Sequence, residues 1–220
     1  MKDKSAKYKI ERFGLLDKYF DRVMAIGPHS DDIELGCFGT MVRLKSKGSK
    51  VAFCVLSAGE VGGNPEQRKK ETIESAKKVG AKLYFGNLPD TKISEGHPSI
   101  GFIELCIEDF KPTTIFINSP NDSHQDHRNA ANAAISAARF VPIVLFYQTP
   151  SSTRRFNSEL YIDITEHIKE KIEAVKIHKS QGKNVYMAYK AVRGLAEFLG
   201  FQIYRGRRLY EGFEIYQMII

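Results

Sequence analysis

Apolar residues in this chain fall into short runs separated by longer amphipathic stretches. Val23-Met24-Ala25-Ile26 closes at Gly27-Pro28, Val51 to Leu56 follows Gly48, and further runs lie at Leu83 to Phe85, Thr114 to Asn118 and Ile143 to Tyr147. Short apolar runs bounded by turn residues read as buried strands. Between them, Gly36 to Lys47, Glu66 to Val79, Ile100 to Phe110 and the alanine-rich Arg128 to Arg139 have helical character. Strands alternating with helices at this spacing pair in parallel, because parallel neighbours require crossover connections. The pattern predicts an α/β fold, a Rossmann-like doubly wound and mostly parallel sheet with strand order 3-2-1-4-5.

Beyond about residue 150 the alternation is less regular. An extended segment at Leu160 to Ile164, charged helix at Glu166 to Lys179, helix at Met187 to Leu199 and strand at Glu211 to Ile219 are expected to form a C-terminal α/β extension of the same domain. Residues 1–220 then make one domain, with residues 1–22 as a charged N-terminal segment.

Composition narrows the class. The 220 residues are 42% hydrophobic and 27% charged, which excludes disorder and fibres. The net charge of +7 is a reason to weigh nucleic acid as a partner. Basic and acidic residues are mixed nearly everywhere, however, and the clearest excess lies in the first twelve residues, so the charge reads as a solvated surface. Cys37, Cys54 and Cys106 form no CxxC pattern and read as reduced, buried thiols of a cytoplasmic protein. No apolar run approaches the roughly 18 residues of a membrane span, so no membrane insertion is expected. The first turn lacks GxGxxG, and Gly59, Gly62 and Gly63 lack the Lys-Ser/Thr of a phosphate loop. Asn121-Asp122-Ser123 matches a glycosylation sequon, read as accidental in a chain without a secretory signal.

Two polar clusters occupy the ends of strands instead. His29-Ser30-Asp31-Asp32 follows the first strand, and His124-Gln125-Asp126-His127 follows the fourth, just before a helix. Either alone could merely cap a helix. In the predicted order, however, strands 1 and 4 are neighbours at the point where the winding reverses, and loops there diverge into a ligand-binding crevice. Imidazoles and carboxylates converging at that point suit zinc or a similar divalent ion. A catalytic zinc commonly keeps three protein ligands and one open position, where a water's pKa falls to about 7. His29 and Asp32, three residues apart, can face one ion, leaving Asp31 free to accept a proton. Either His124 or His127 could complete the set.

At these residues the sequence resembles the LmbE-like/PIG-L superfamily of zinc-dependent N-deacetylases. That family's His-Pro-Asp-Asp motif reads here His29-Ser30-Asp31-Asp32, and its His-x-Asp-His motif reads His124-Gln125-Asp126-His127. Further similarity runs through Gly36, Gly39-Thr40, Ser57-Ala58-Gly59-Glu60, Arg68 and Glu71, Leu88-Pro89-Asp90, His178-Lys179-Ser180-Gln181 and Tyr210-Glu211-Gly212-Phe213-Glu214. The resemblance implies one catalytic Zn2+, or another divalent metal, held by His29, Asp32 and His127. It implies Asp31 as general base, His124 as oxyanion stabiliser or acid, and Asp126 as the group orienting a neighbouring imidazole. Arg68 and Asp90 match positions that contact sugar hydroxyls, with Glu60 beside them. Arg154 is added as a pocket residue because its loop follows the fifth strand. A surface ion pair is the competing reading of Arg68 with Glu71, and a surface or satisfied-core role is the reading of His97, His167 and His178.

The expected activity is removal of an acetyl group from an N-acetylated amino sugar of the N-acetylglucosamine type, by a homo-oligomeric enzyme that binds neither nucleic acid nor membrane. Competing readings are a zinc hydrolase of another amide conjugate, of mycothiol or bacillithiol type, and a non-catalytic α/β nucleotide-binding module. Metal content separates the last from the others, and substrate screening separates the first two.

Overall fold

A computed structural model describes residues 17–220, so the basic excess of the first twelve residues and most of the N-terminal segment lie outside the described residues. Seven strands form one sheet: β1 (Arg22–Gly27), β2 (Lys50–Val55), β3 (Lys82–Phe85), β4 (Thr114–Asn118), β5 (Ile143–Tyr147), β6 (Leu160–Asp163) and β7 (Tyr210–Met218). The order is β3-β2-β1-β4-β5-β7-β6, with every neighbouring pair from β3 to β5 parallel. β7 enters antiparallel between β5 and β6. The C-terminal region therefore adds the last two strands to the same sheet.

Central strands are buried on both faces, as parallel strands covered by helices must be. Helices α4 (Ser99–Phe110) and α5 (Gln125–Ala137) cover one face, where Ala130, Ala134, Ile103 and Cys106 pack on Met24, Ile26 and Ile117. The other face carries α1 (Asp32–Gly36), α2 (Phe38–Ser46), α3 (Pro65–Val79) and α6 (Ile168–Ile177), over Val23, Phe53, Phe116 and Leu145. The final helix, α7 (Tyr189–Gln202), packs with Val192 and Ala196 against Ile168, Ile172 and Leu209. All three cysteines are free and buried.

Local chemistry explains the helix limits. Asn64 accepts the Gln67 N–H at 3.0 Å, Pro65 follows it, and Gly80 adopts the left-handed conformation at the other end of α3. The predicted helix from Gly36 to Lys47 requires correction: helical structure begins at Asp32 and breaks at Cys37 into α1 and α2. Close packing accompanies the break. A Cβ on Gly36 would lie 2.1 Å from the ring of Tyr147, which is fully buried and donates its hydroxyl to the Ile26 carbonyl at 2.7 Å. Gly36→Ala should therefore lower stability by about 1–3 kcal/mol, the range for overpacking, in a denaturant titration; wild-type stability would show that Tyr147 moves freely.

Candidate metal centre and active-site cavity

β1 and β4 pair in register, with Val23 opposite Thr114 and Ile26 opposite Ile117. Their following turns consequently meet at one end of the sheet. Asp31, before α1, has φ 155° and ψ −17°, a conformation that non-glycine residues avoid at a cost of order 1–3 kcal/mol. His124 starts α5 by accepting the Asp126 N–H on its own Nδ1 at 3.2 Å.

One carboxylate oxygen sits between two imidazoles. Asp32 Oδ2 lies 3.4 Å from His29 Nδ1 and 3.4 Å from His127 Nε2. One ligand atom from each of His29, Asp32 and His127 falls within 4.8 Å of the others. Both rings are held from behind. His29 Nε2 lies 3.1 Å from Asp90 Oδ1 and 3.2 Å from Asp126 Oδ2, and His127 Nδ1 lies 3.0 Å from Asp122 Oδ2. Carboxylates on the far nitrogens orient metal-ligating histidines and raise their basicity. His29, His124 and Asp126 also cluster. There, however, His29 Nε2 faces two carboxylates, His124 Nδ1 takes a backbone N–H, and Asp126 Oδ2 accepts the Thr91 N–H at 2.7 Å. The donor set suited to a divalent cation is His29, Asp32 and His127, and its chemistry fits zinc.

Electrostatics point the same way. Burial opposes a charged His29, yet Asp126, Asp32 and Asp90 hold its pKa well above the usual value. Burial likewise opposes a charged His127, but Asp32 and Asp122 bring it to about 9. Asp32 is driven well below the carboxylate range by His127 and His29 despite its burial. Asp90 falls to about 2 through its contact with His29, and Asp122 to about 2 because bonds from His127 and Thr149 overcome burial. The carboxylates gathered around these imidazoles make a field that favours positive charge. Burial, then the neighbouring Asp32, pushes Asp31 up to about 7, against the pull of His178 and Arg68.

The centre opens into a cavity of about 470 Å³ lined by His29, Asp31, Asp32, Arg68, Asp90 and His124 among others. Reading Arg68 with Glu71 as a surface pair is corrected. Both are buried, and Arg68 Nη2 reaches Asp31 Oδ1 at 3.3 Å while Glu71 accepts from Ser180 N–H at 3.0 Å. Arg68 fits because Gly59 and Gly62 lie along its guanidinium, where a Cβ would come within 2.7 Å. Glu60 is exposed and does not face the cavity; it accepts the Asp90 N–H at 2.8 Å, while Val61 and Gly62 form the wall. Arg154 is also corrected. Its loop is pinned by Ser123 N–H to Ser151 O at 3.0 Å and Thr153 N–H to Asn121 O at 2.7 Å, so Pro150 and Ser151 line the cavity and Arg154 stays exposed outside.

Three further buried side chains adjoin the centre, of which His178 has the core placement expected for it and Asp122 and Glu34 carry no expectation from the sequence. Asp122, noted only within a sequon, is buried behind His127; its Oδ1 accepts the His124 N–H at 2.8 Å. An Asp two residues before a helix-starting residue was the available signal. Glu34 and His178 are buried together, Oε2 to Nε2 3.4 Å, and His178 is close enough for its charge to act on Asp31. Their pairing across 144 residues has no local signature.

The family profile PIG-L: GlcNAc-PI de-N-acetylase matches residues 24–138, which contain both polar clusters. The chain belongs to the PIG-L family. It is 31% identical to the uncharacterized deacetylase YaiS of Escherichia coli K12 over 167 residues, covering 72% of this chain and 90% of that one. A diacetylchitobiose deacetylase of Thermococcus kodakarensis is 26% identical over 190 residues, covering 73% and 70%. The crystal structure of a 4-carboxy-2-hydroxymuconate hydratase from Pseudomonas putida KT2440 superimposes with a TM-score of 0.81 over 91% of this chain and 98% of its own, at 17% identity. That likeness concerns the fold alone. As a PIG-L family member with deacetylase relatives, the protein is a hydrolytic deacetylase. Among the described residues, no helix is long and apolar enough to cross a membrane.

Asp122→Asn should leave the fold intact and weaken divalent-metal affinity about 10- to 100-fold, as loss of an orienting carboxylate does. Competition with a chromophoric chelator measures this, and unchanged affinity would remove Asp122 from support of the centre.

Proposed function

We propose that the enzyme hydrolyses the acetamide of an N-acetylglucosamine-type sugar, releasing acetate and the free amine, with zinc held by His29, Asp32 and His127. The arrangement of these three donors at the cavity, with Asp31 and His124 beside them, carries the reading. The diacetylchitobiose deacetylase relative supports a sugar substrate. When bound, zinc supplies a Lewis acid for the amide carbonyl and lowers the pKa of a water.

The chain's own groups perform the remaining work. Asp31 accepts the proton of the attacking water and later delivers it to the departing nitrogen. Arg68 holds one Asp31 oxygen at 3.3 Å, leaving the other for the proton. His124 is fixed by its ring: because Nδ1 accepts the Asp126 N–H, the neutral imidazole carries its proton on Nε2. That N–H stabilises the amide oxygen as it becomes negative. His124 also stacks on His127, with centroids 4.7 Å apart, which holds the donor beside the metal centre. Asp126 acts on His29 rather than on His124.

Asp31→Asn should retain zinc and lose roughly 10²- to 10⁴-fold in turnover, the range for a general base. His127→Ala should lose the metal itself. Acetate release from N-acetylglucosamine conjugates, with and without a chelator, together with metal content, tests the assignment. An undiminished rate in Asp31→Asn would reject the base, and full zinc retention in His127→Ala would remove that ligand.

A further inference from the structure

Away from the metal centre, α7 is apolar on two sides. Val192, Ala196 and Leu199 face the core, whereas Leu195, Phe198 and Phe201, each three residues from the next, stand 39%, 57% and 64% exposed. Tyr204, just beyond the helix, is 97% exposed. A helix that packs on a core through one face keeps the opposite face polar unless something covers it, and a contiguous exposed apolar patch marks a binding surface. The turn after the helix is folded back on it. The Arg205 N–H donates to the Gly200 carbonyl and the Arg208 N–H to the Arg205 carbonyl, each at 2.7 Å. The Phe201 ring lies over Gly206, where a Cβ would come within 2.5 Å of it. The aromatic side chains and the arginines of this turn are thereby held at one corner of the molecule.

Charge decides what that corner fits. From residue 183 to residue 208 the chain carries Lys183, Lys190, Arg193, Arg205, Arg207 and Arg208 against a single acidic residue, Glu197, which pairs with Arg193 at 2.8 Å. Arg208 is held by Asp163 of β6, while Arg205 and Arg207 are exposed beside the aromatic rings. We propose that this corner is a docking surface for an anionic phospholipid bilayer, which the protein touches from one side without a spanning helix. Phenyl rings enter the boundary between headgroups and acyl chains, and guanidinium groups around them meet the lipid phosphates. A second copy placed on the same face would bring like charges together, which opposes association. Leu195 gives no platform on which nucleic-acid bases stack. Such docking is independent of the substrate that the metal centre takes.

Co-sedimentation of the full chain with vesicles tests this, comparing phosphatidylcholine alone with an equal mixture of phosphatidylcholine and phosphatidylglycerol. The protein should pellet with the anionic vesicles and stay in solution with the neutral ones, and binding should fade as salt rises. The double variant Phe198→Ser, Phe201→Ser should partition about tenfold more weakly, from lost apolar burial. Arg205→Gln with Arg207→Gln should weaken partitioning about 25-fold, since each basic side chain near such a surface contributes about fivefold. Circular dichroism checks both folds, and the arginine pair, which lies wholly at the surface, decides the matter if the phenylalanine pair does not fold. Failure to pellet with anionic vesicles would overturn the proposal, as would equal binding to neutral vesicles or wild-type binding by the arginine variant. Salt-sensitive retention on single-stranded RNA without vesicle binding would overturn it in favour of nucleic acid. A fall in oligomer mass in the phenylalanine variant, again without vesicle binding, would overturn it in favour of a second copy.

Discussion

β1 and β4 run side by side in parallel, Ile26 opposite Ile117, and the chemistry of this protein hangs from their ends. A parallel pairing requires the chain to leave the sheet and return, so β2, α3, β3 and α4 all intervene between the two strands. Both strands are almost wholly buried, and a register slip would turn their apolar side chains to the wrong face of the sheet. Core packing therefore sets the separation of the turns. Asp32 can lie 3.4 Å from both His29 and His127 because hydrophobic register places it there.

Placing so many ionisable groups in one buried site is costly unless each is paired. Asp90 and Asp126 take His29 from one side, Asp122 takes His127 from the other, backbone N–H groups of Val61 and His124 satisfy the second oxygens of Asp90 and Asp122, and the Thr91 N–H shares Asp126 Oδ2 with His29. The rings are consequently fixed with Nδ1 of His29 and Nε2 of His127 toward Asp32. The fold thus orients both rings toward one carboxylate, an arrangement of the kind that gives metal sites their affinity and geometry.

The C-terminal region is part of this design. β7 extends the sheet beside β5, and the link between α6 and α7 brings Gln181 and Tyr186 to the metal-centre cavity. A hydratase shares the architecture at 17% identity, so the architecture alone does not define a reaction. Here the reaction class follows from the family.

Much of this was legible in the residues themselves. Apolar runs mark strands β1 to β5 and their parallel pairing, because burial on both faces demands continuous apolar stretches and helical crossovers demand parallel neighbours, and the order observed for them is the one common to such folds. The clusters His29 to Asp32 and His124 to His127 declare their chemistry through residue type and spacing. Other features were decided only in three dimensions. The expected helix breaks at Cys37, next to Gly36 packed on a tyrosine of β5, Arg68 turns inward to Asp31 rather than along its helix to Glu71, and Arg154 is carried away by a loop pinned at Thr153. Asp122 behind His127 and His178 beside Glu34 likewise depend on which surfaces the sheet brings together. Local sequence determines what a segment can form and what its side chains can do; which distant groups share a buried site is settled by packing, since contacts between remote residues leave no periodicity along the chain.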